Sequence, residues 1–127
     1  MSKHPGDGRI RYLLALYEIG RQKENIRSVD VAKRLCVSRA SVHNMMRMLA
    51  EEGLVTKDHY GDIVLTEAGQ AEAERRYEQY RCVSEMFVRC LDLHLEDAQS
   101  EAVSFLAAQT EDTLARVVQA FAPQLTH

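Results

Sequence analysis

The stretch that most restricts what this chain can become is Ser28 to Gly53, SVDVAKRLCVSRASVHNMMRMLAEEG, where two short amphipathic segments meet at a tight turn. Val29, Val31, Ala32 and Leu35 fit the buried side of a first helix, and Val42, Met45, Met46 and Leu49 recur at the 3.6-residue spacing of a second. Cys36-Val37-Ser38 is the turn between them. Ser38 suits an N-cap, which starts the second helix near Arg39 and turns Arg39, Ser41, His43, Asn44 and Arg47 outward. This is the layout of a helix-turn-helix, whose second helix lies in the major groove of DNA.

The outward residue types fit that reading. Arginine pairs with guanine edges, asparagine with adenine, and serine hydroxyls near a helix N-terminus suit phosphate oxygens. A solvated face on a small helical domain is the plainer alternative. The sequel separates the two, because Leu54 to Thr66 reads as two short strands around a glycine-containing turn, with Lys57 and His59 available to phosphates. A hairpin placed directly after a recognition helix is a wing.

Charge is divided along the chain. Residues 1–57 hold 11 Lys/Arg against 6 Asp/Glu, a balance of +5, while residues 58–127 stand at -8, leaving the net -3. The basic stretch is the one with the helix-turn-helix, as expected of a phosphate-facing lobe joined to a lobe of another purpose. The 127 residues, 46% apolar, suffice for one ordinary domain or two small lobes sharing a helix.

Around the reader, Met1 to Gly8 reads as a loose arm. RIRYLLALYEIGRQ then places Ile10, Leu13, Leu14 and Tyr17 on one helical side and closes near Gly20, and Gln22 to Arg27 is a polar loop. Thr66 caps a long helix over about 67–91, with Tyr80, Val83, Phe87 and Cys90 or Leu91 as its apolar stripe. A helix from about Leu95 to Gln109 follows, and Thr110, Glu111 and Asp112 announce a last one, TLARVVQAF, at which Pro123 marks the end. The expected fold is therefore mostly α: a winged helix-turn-helix of three helices and a β-hairpin over 1–66, then a helical dimerisation domain over 67–127. The surplus of apolar groups in the last two helices, among them Val103, Leu106, Leu114, Val117, Val118 and Phe121, exceeds what a small lobe covers alone. We read part of it as facing a second chain in a homodimer, against the alternative of a purely intramolecular core.

Several function classes are set aside. GxSxG, P-loop, HExxH and glycine-rich nucleotide turns are absent, so an enzyme is not expected. No apolar run has the length of a membrane span and the N-terminus is polar, so the expected location is the cytoplasm. Cys36, Cys82 and Cys90 are an odd number without a CxxC, which points to reduced thiols. Cys90 and His94, with Cys82, Glu78 and Glu85 on the same stretch, have the spacing of part of a soft metal site, against the alternative of small buried cysteines and a loop histidine. Cys82 and Cys90 lie two turns apart on one helix, too far to join within a chain, which leaves a bridge between chains as a minor idea.

YLLALYEIG, RSVDVAKRLCVSRASVHNMMRMLAEEGLV, IVLTEAG and LDLHLEDAQSEA together resemble the diphtheria-toxin-repressor family of metal-dependent transcription regulators, from Arg9 to about Phe121. Without a C-terminal β-barrel domain, the chain is most similar to the short manganese-regulator branch. The resemblance implies a dimeric winged-helix repressor that binds palindromic operator DNA when Mn²⁺ or Fe²⁺ is bound. It aligns Ser38, Ala40, Ser41 and Asn44 with DNA-facing positions, Asn44 standing where a base-reading glutamine is found. The implied ligand positions are different here. Where the family has Asp or Met and then Glu, this chain has Arg11 and Leu14; where it has His, Tyr80; and where it has a Cys/Glu-x-x-Glu-His group, Val103, Leu106 and Ala107. None of these offers the carboxylate, imidazole or thiolate that first-row divalent metals need. The expectation is a sequence-specific regulator that no longer answers to metal at the usual site. The alternative is an interaction protein that forms a heterodimer with a metal-binding paralogue and modulates it.

Overall fold

The computed structural model describes residues 7–125, with side chains over 8–121. In chain order it holds α1 Asp7–Gln22, α2 Ser28–Leu35, α3 Arg39–Glu51, β1 Val55–Lys57, β2 Ile63–Leu65, α4 Glu67–Leu91, α5 Leu95–Ala108 and α6 Glu111–Leu125. It divides inside α4 into two compact units, Arg11–Arg75 on one hand and, on the other, Arg76 onward with the residues up to Ile10. Among the described residues no helix is long and apolar enough to cross a membrane.

The Arg11–Arg75 unit is built on the helix-turn-helix. Cys36 stops α2 by adopting the left-handed conformation, φ 55°, and its own N–H and that of Val37 return to the Lys33 and Ala32 carbonyls. Ser38 is extended and its Oγ accepts the Ser41 N–H at 3.0 Å, so α3 begins at Arg39 as expected. Val42, Met46 and Leu49 of α3 meet Leu13, Leu16 and Ile19 of α1 and Val31 of α2 in one buried cluster. Gly53, at φ +79°, ends the α3 region and lets Leu54 N–H reach back to the Leu49 carbonyl at 2.9 Å. The wing follows with Val55 opposite Leu65, Thr56 opposite Val64 and Lys57 opposite Ile63.

Two anchors hold the wing. Ile26, expected in a polar loop, forms an antiparallel bridge with Ile63 and accepts its N–H at 2.8 Å, because burying its side chain brings the loop backbone beside β2. At the other end the Thr66 N–H donates to the Leu54 carbonyl at 3.0 Å, and Thr66 Oγ1 donates to the Gly53 carbonyl at 2.7 Å and accepts the Gly69 N–H that caps α4. Gly69 permits this contact. A Cβ there would stand 1.8 Å from the Leu54 carbonyl oxygen.

The other unit packs Cys82 and Val83 of α4, Ala98, Ala102 and Leu106 of α5 and Leu114 of α6 out of solvent. Phe87 and Phe105 meet edge to face at 5.8 Å, and Arg76 reaches Glu111 at 3.2 Å. Asp92, at φ 56°, ends α4, and Thr110 caps α6 through the Thr113 N–H at 3.2 Å.

Several expectations need correction. Helix α1 starts at Asp7, so Gly8 is helical, and it runs through Gly20 to Gln22; burial of Leu16 and Ile19 outweighs the roughly 1 kcal/mol that a helical glycine costs. The rest of the proposed arm lies outside the described residues. Val29 is 36% exposed, since it sits at the flank of the α2 face that Val31 and Ala32 bury. Cys90 and Leu91, assigned to the α4 stripe, are exposed in its last turn. Helix α6 continues through Pro123 to Leu125, because a proline in a final turn removes one bond rather than a run of them. Leu106 and Leu114 are at most 1% exposed, so they belong to the intramolecular core and cannot meet a second chain.

Candidate nucleic-acid interface

The first turns of α3 present a polar strip whose spacing follows from the buried stripe behind it. With Val42, Met46 and Leu49 inward, Ala40, His43, Asn44 and Arg47 fall on one exposed line at i, i+3, i+4 and i+7, with Arg39 and Ser41 beside it. Ser38 Oγ also donates to Ser41 Oγ at 3.0 Å. That bond uses one lone pair of Ser41 and leaves its own hydroxyl hydrogen to donate outward, the direction a phosphate oxygen requires.

The wing adds a second exposed row. Lys57 and His59 are exposed, as are all the other sequence-derived contact residues, Ser38, Arg39, Ala40, Ser41, His43, Asn44 and Arg47. The tip is shaped by Asp58, whose Oδ1 accepts the N–H groups of Tyr60 at 2.8 Å and Asp62 at 2.9 Å. Its own N–H and carbonyl bond to the Asp62 carbonyl and the Gly61 N–H, and Gly61 takes φ +83°. This frame holds Tyr60 87% exposed, edge to face with His59 at 5.4 Å. Tyr60 was missed in the sequence; an Asp two residues ahead of it and a Gly directly after were the signal for an ordered turn.

Between α3 and the wing lies an open groove of about 260 Å³. It is lined by Met46, Ala50, Val55, Thr56 and Ile63, with His43, Arg47 and Lys57 around it. The fold therefore brings α3 and β1 cations together at one groove that contains no carboxylate among its lining residues. The arrangement offers a polyanion hydrogen-bond donors along the helix and the single fixed positive charge of Lys57 on the wing.

The positions matched to family metal ligands form a different picture. Arg11 donates from Nη2 to the Leu35 carbonyl at 3.3 Å, tying α1 to the last residue of α2. Leu14 and Leu106 are buried, and Tyr80, Val103 and Ala107 are half-buried. The guanidinium is itself a cation, the aliphatic groups carry no donor atoms, and the Tyr80 phenol is a single oxygen where a metal needs several ligands, so this set does not fit a divalent metal. The weaker set is also dispersed in character: Cys82 is fully buried with Sγ directed to the Val117 carbonyl at 4.0 Å, while Cys90 and His94 are exposed. Its burial also removes Cys82 from any bridge between chains. Among the described residues no three His, Cys, Asp or Glu side chains are grouped to hold a metal ion.

Comparison with known proteins matches residues 10–63 to the family described as iron dependent repressor, N-terminal DNA binding domain. An uncharacterised HTH-type transcriptional regulator of Methanocaldococcus jannaschii is 31% identical over 98 residues, covering 75% of this chain and 78% of that protein. The transcriptional regulator MntR of Escherichia coli is 30% identical over 103 residues, covering 81% of this chain and 66% of that one. Among solved structures, IdeR of T. acidophilum superposes with a TM-score of 0.73 at 25% identity over 96% of this chain. The manganese regulator SloR gives 0.78 at 24% identity over 94%. This chain spans only 55% and 54% of those two chains.

Proposed function

This chain belongs to the diphtheria-toxin-repressor family of metal-dependent transcription regulators, in its manganese-regulator-like part, and on that premise we propose that it is a dimeric, sequence-specific repressor whose usual metal switch has been lost. The family consists of transcription regulators, not enzymes, and the matched residues are its DNA-binding domain. The observation that carries the finer reading is the exposed strip of Asn44 and Arg47 on α3 next to Lys57 of the wing.

In this reading α3 enters the major groove, Asn44 reads an adenine edge through two hydrogen bonds, and Arg47 reads a guanine or a phosphate. Ser38, Arg39 and Ser41 fix the helix start on the backbone, while Lys57 and His59 hold a neighbouring phosphate run. Ala40 contributes closeness rather than a bond, since a methyl side chain lets the helix approach the bases. A homodimer, formed in the cytoplasm through half-buried Val103, Val117, Val118 and Phe121, places two such helices about one helical turn, roughly 34 Å, apart on a palindrome. The donor set of Arg11, Leu14, Tyr80, Val103, Leu106 and Ala107 speaks against Mn²⁺ or Fe²⁺ at the usual positions, so no step in this reading passes through a metal.

The test is fluorescence anisotropy on the DNA upstream of the protein's own coding sequence, with Mn²⁺ or Fe²⁺ under anaerobic, reducing conditions and again with chelator. Equal affinity in both is the expected result. A tenfold tightening by metal, about 1.4 kcal/mol of coupling, refutes the loss of the switch. Absence of DNA binding, with capture of a metal-binding paralogue instead, favours a heterodimerising modulator.

A further inference from the structure

We propose that the groove between α3 and the wing binds a small amphipathic monoanion, an aromatic or branched-acyl carboxylate, and that this ligand displaces DNA. The displacement rests on the reading of this face as the DNA-contacting one. The groove's chemistry has two parts. Its floor is apolar: Met46, Val55 and Ile63 are 4%, 3% and 2% exposed, and the Ala50 methyl lies beside them. Its rim holds His43, Arg47 and Lys57, without a carboxylate among the lining residues.

Neither half is satisfied by the obvious occupants. A DNA phosphate pairs with the rim and does not fill the apolar recess, where the Ala50 methyl is exposed. A neutral hydrocarbon covers the floor and strips water from three basic groups without compensating them. One negative head on a flat apolar body satisfies both, and about 260 Å³, just below the usual range of small-molecule clefts, confines the body to a small ring system. Met46, unbranched and polarisable, adapts its floor to such a ring. The consequence is regulatory. A carboxylate on Arg47 and Lys57 neutralises the charge that the phosphates require, which gives this chain an effector route that needs no metal.

The experiment uses the full chain and 1-naphthoate, with neutral 1-naphthalenemethanol and sulfate as controls. By calorimetry, naphthoate binds saturably, roughly five- to tenfold more tightly than the neutral probe, as a charge-assisted pair at a half-open site provides. Lys57→Met brings the two probes together, and Ala50→Trp, which fills the groove, removes naphthoate binding while the thermal midpoint is retained. In DNA anisotropy, naphthoate raises the wild-type Kd and leaves that of Ala50→Trp unaltered. A flat titration on protein that binds DNA overturns the site and leaves the DNA reading standing. Naphthoate binding that survives Ala50→Trp, or naphthoate and DNA bound together without mutual weakening, also overturns the proposal. Groove-specific naphthoate binding by protein that ignores DNA supports the site and refutes the DNA reading instead.

Discussion

Gly69→Ala offers a prediction whose sign is decided by the structure. Alanine is normally the better helix former, by up to about 1 kcal/mol over glycine, and Gly69 lies in the first turn of α4. The new Cβ, however, would be 1.8 Å from the Leu54 carbonyl oxygen and 2.8 Å from its carbon. Both are backbone atoms, so no rotamer change relieves the overlap. The oxygen also accepts the Thr66 N–H at 3.0 Å, so pushing it away weakens a bond worth about 0.5–1.5 kcal/mol net, on top of about 1–3 kcal/mol for overpacking. Subtracting the propensity gain leaves a loss of roughly 1–3 kcal/mol. Gly20→Ala is the internal control: its Cβ meets only the tip of the Ile26 side chain, Cδ1, at 3.4 Å, an ordinary van der Waals contact, and stability should rise by about 0.4–1 kcal/mol. Urea midpoints at constant m measure both. A Gly69→Ala protein as stable as the wild type would refute the argument that α4 begins in direct contact with the wing's base.

Asn44→Ala should reduce discrimination between operator and random DNA by about 1–3 kcal/mol, whereas Lys57→Ala should weaken both alike; equal losses for Asn44→Ala in competition anisotropy remove it from base reading. Ser38→Ala removes the α3 cap and should cost about 1 kcal/mol in urea unfolding, with no effect meaning that the Ser41 N–H finds water just as well. Burial pushes the Cys82 thiol up, with Glu78 adding to this and Arg81 opposing it, so at pH 8 iodoacetamide should modify exposed Cys36 and Cys90 and reach Cys82 only after unfolding. Tyr12 is also raised, first by burial and against the influence of Arg11. Both groups hold their protons longer when folded, so the stability they contribute is complete below their unfolded pKa values and declines as pH rises through the folded ones. Melting midpoints should thus fall on the alkaline side; a constant midpoint from pH 8 to 11 contradicts the burial.

Local signals made much of the fold legible. Ser38 and Thr66 announce helix starts because a side-chain oxygen satisfying a free N–H needs no knowledge of distant residues, and the left-handed backbone that Gly53 adopts is likewise a local property. The hairpin from Leu54 to Thr66 was readable through its turn. What was not legible depends on partners far along the chain. Val103 and Leu106 are both aliphatic, yet only Leu106 is buried against its own unit, and composition cannot state which helix face another helix covers. Ile26 reads as a loop residue until β2 is beside it. The helical side expected for α1 was too narrow: Tyr12, Ala15, Leu16 and Ile19 are buried along with Leu13 and Leu14, so periodicity understated a helix covered on nearly all sides. At the candidate interface, the exposed strip was predictable from the buried stripe, but the groove joining Arg47 to Lys57 was not, since their proximity depends on how the hairpin folds back.

The frame of the wing tip also separates shape from identity. Its bonds run through the Asp58 carboxylate and the backbone of residues 58–62, and its handedness through Gly61, so the side chains of His59 and Tyr60 carry no part of the scaffold. Those two positions form an interchangeable cassette. A library randomised at 59 and 60 alone should keep the strand register Val55 to Leu65 and the rest of the domain unaltered while presenting new side chains at the wing tip, which makes the tip the natural handle for varying what the proposed interface contacts.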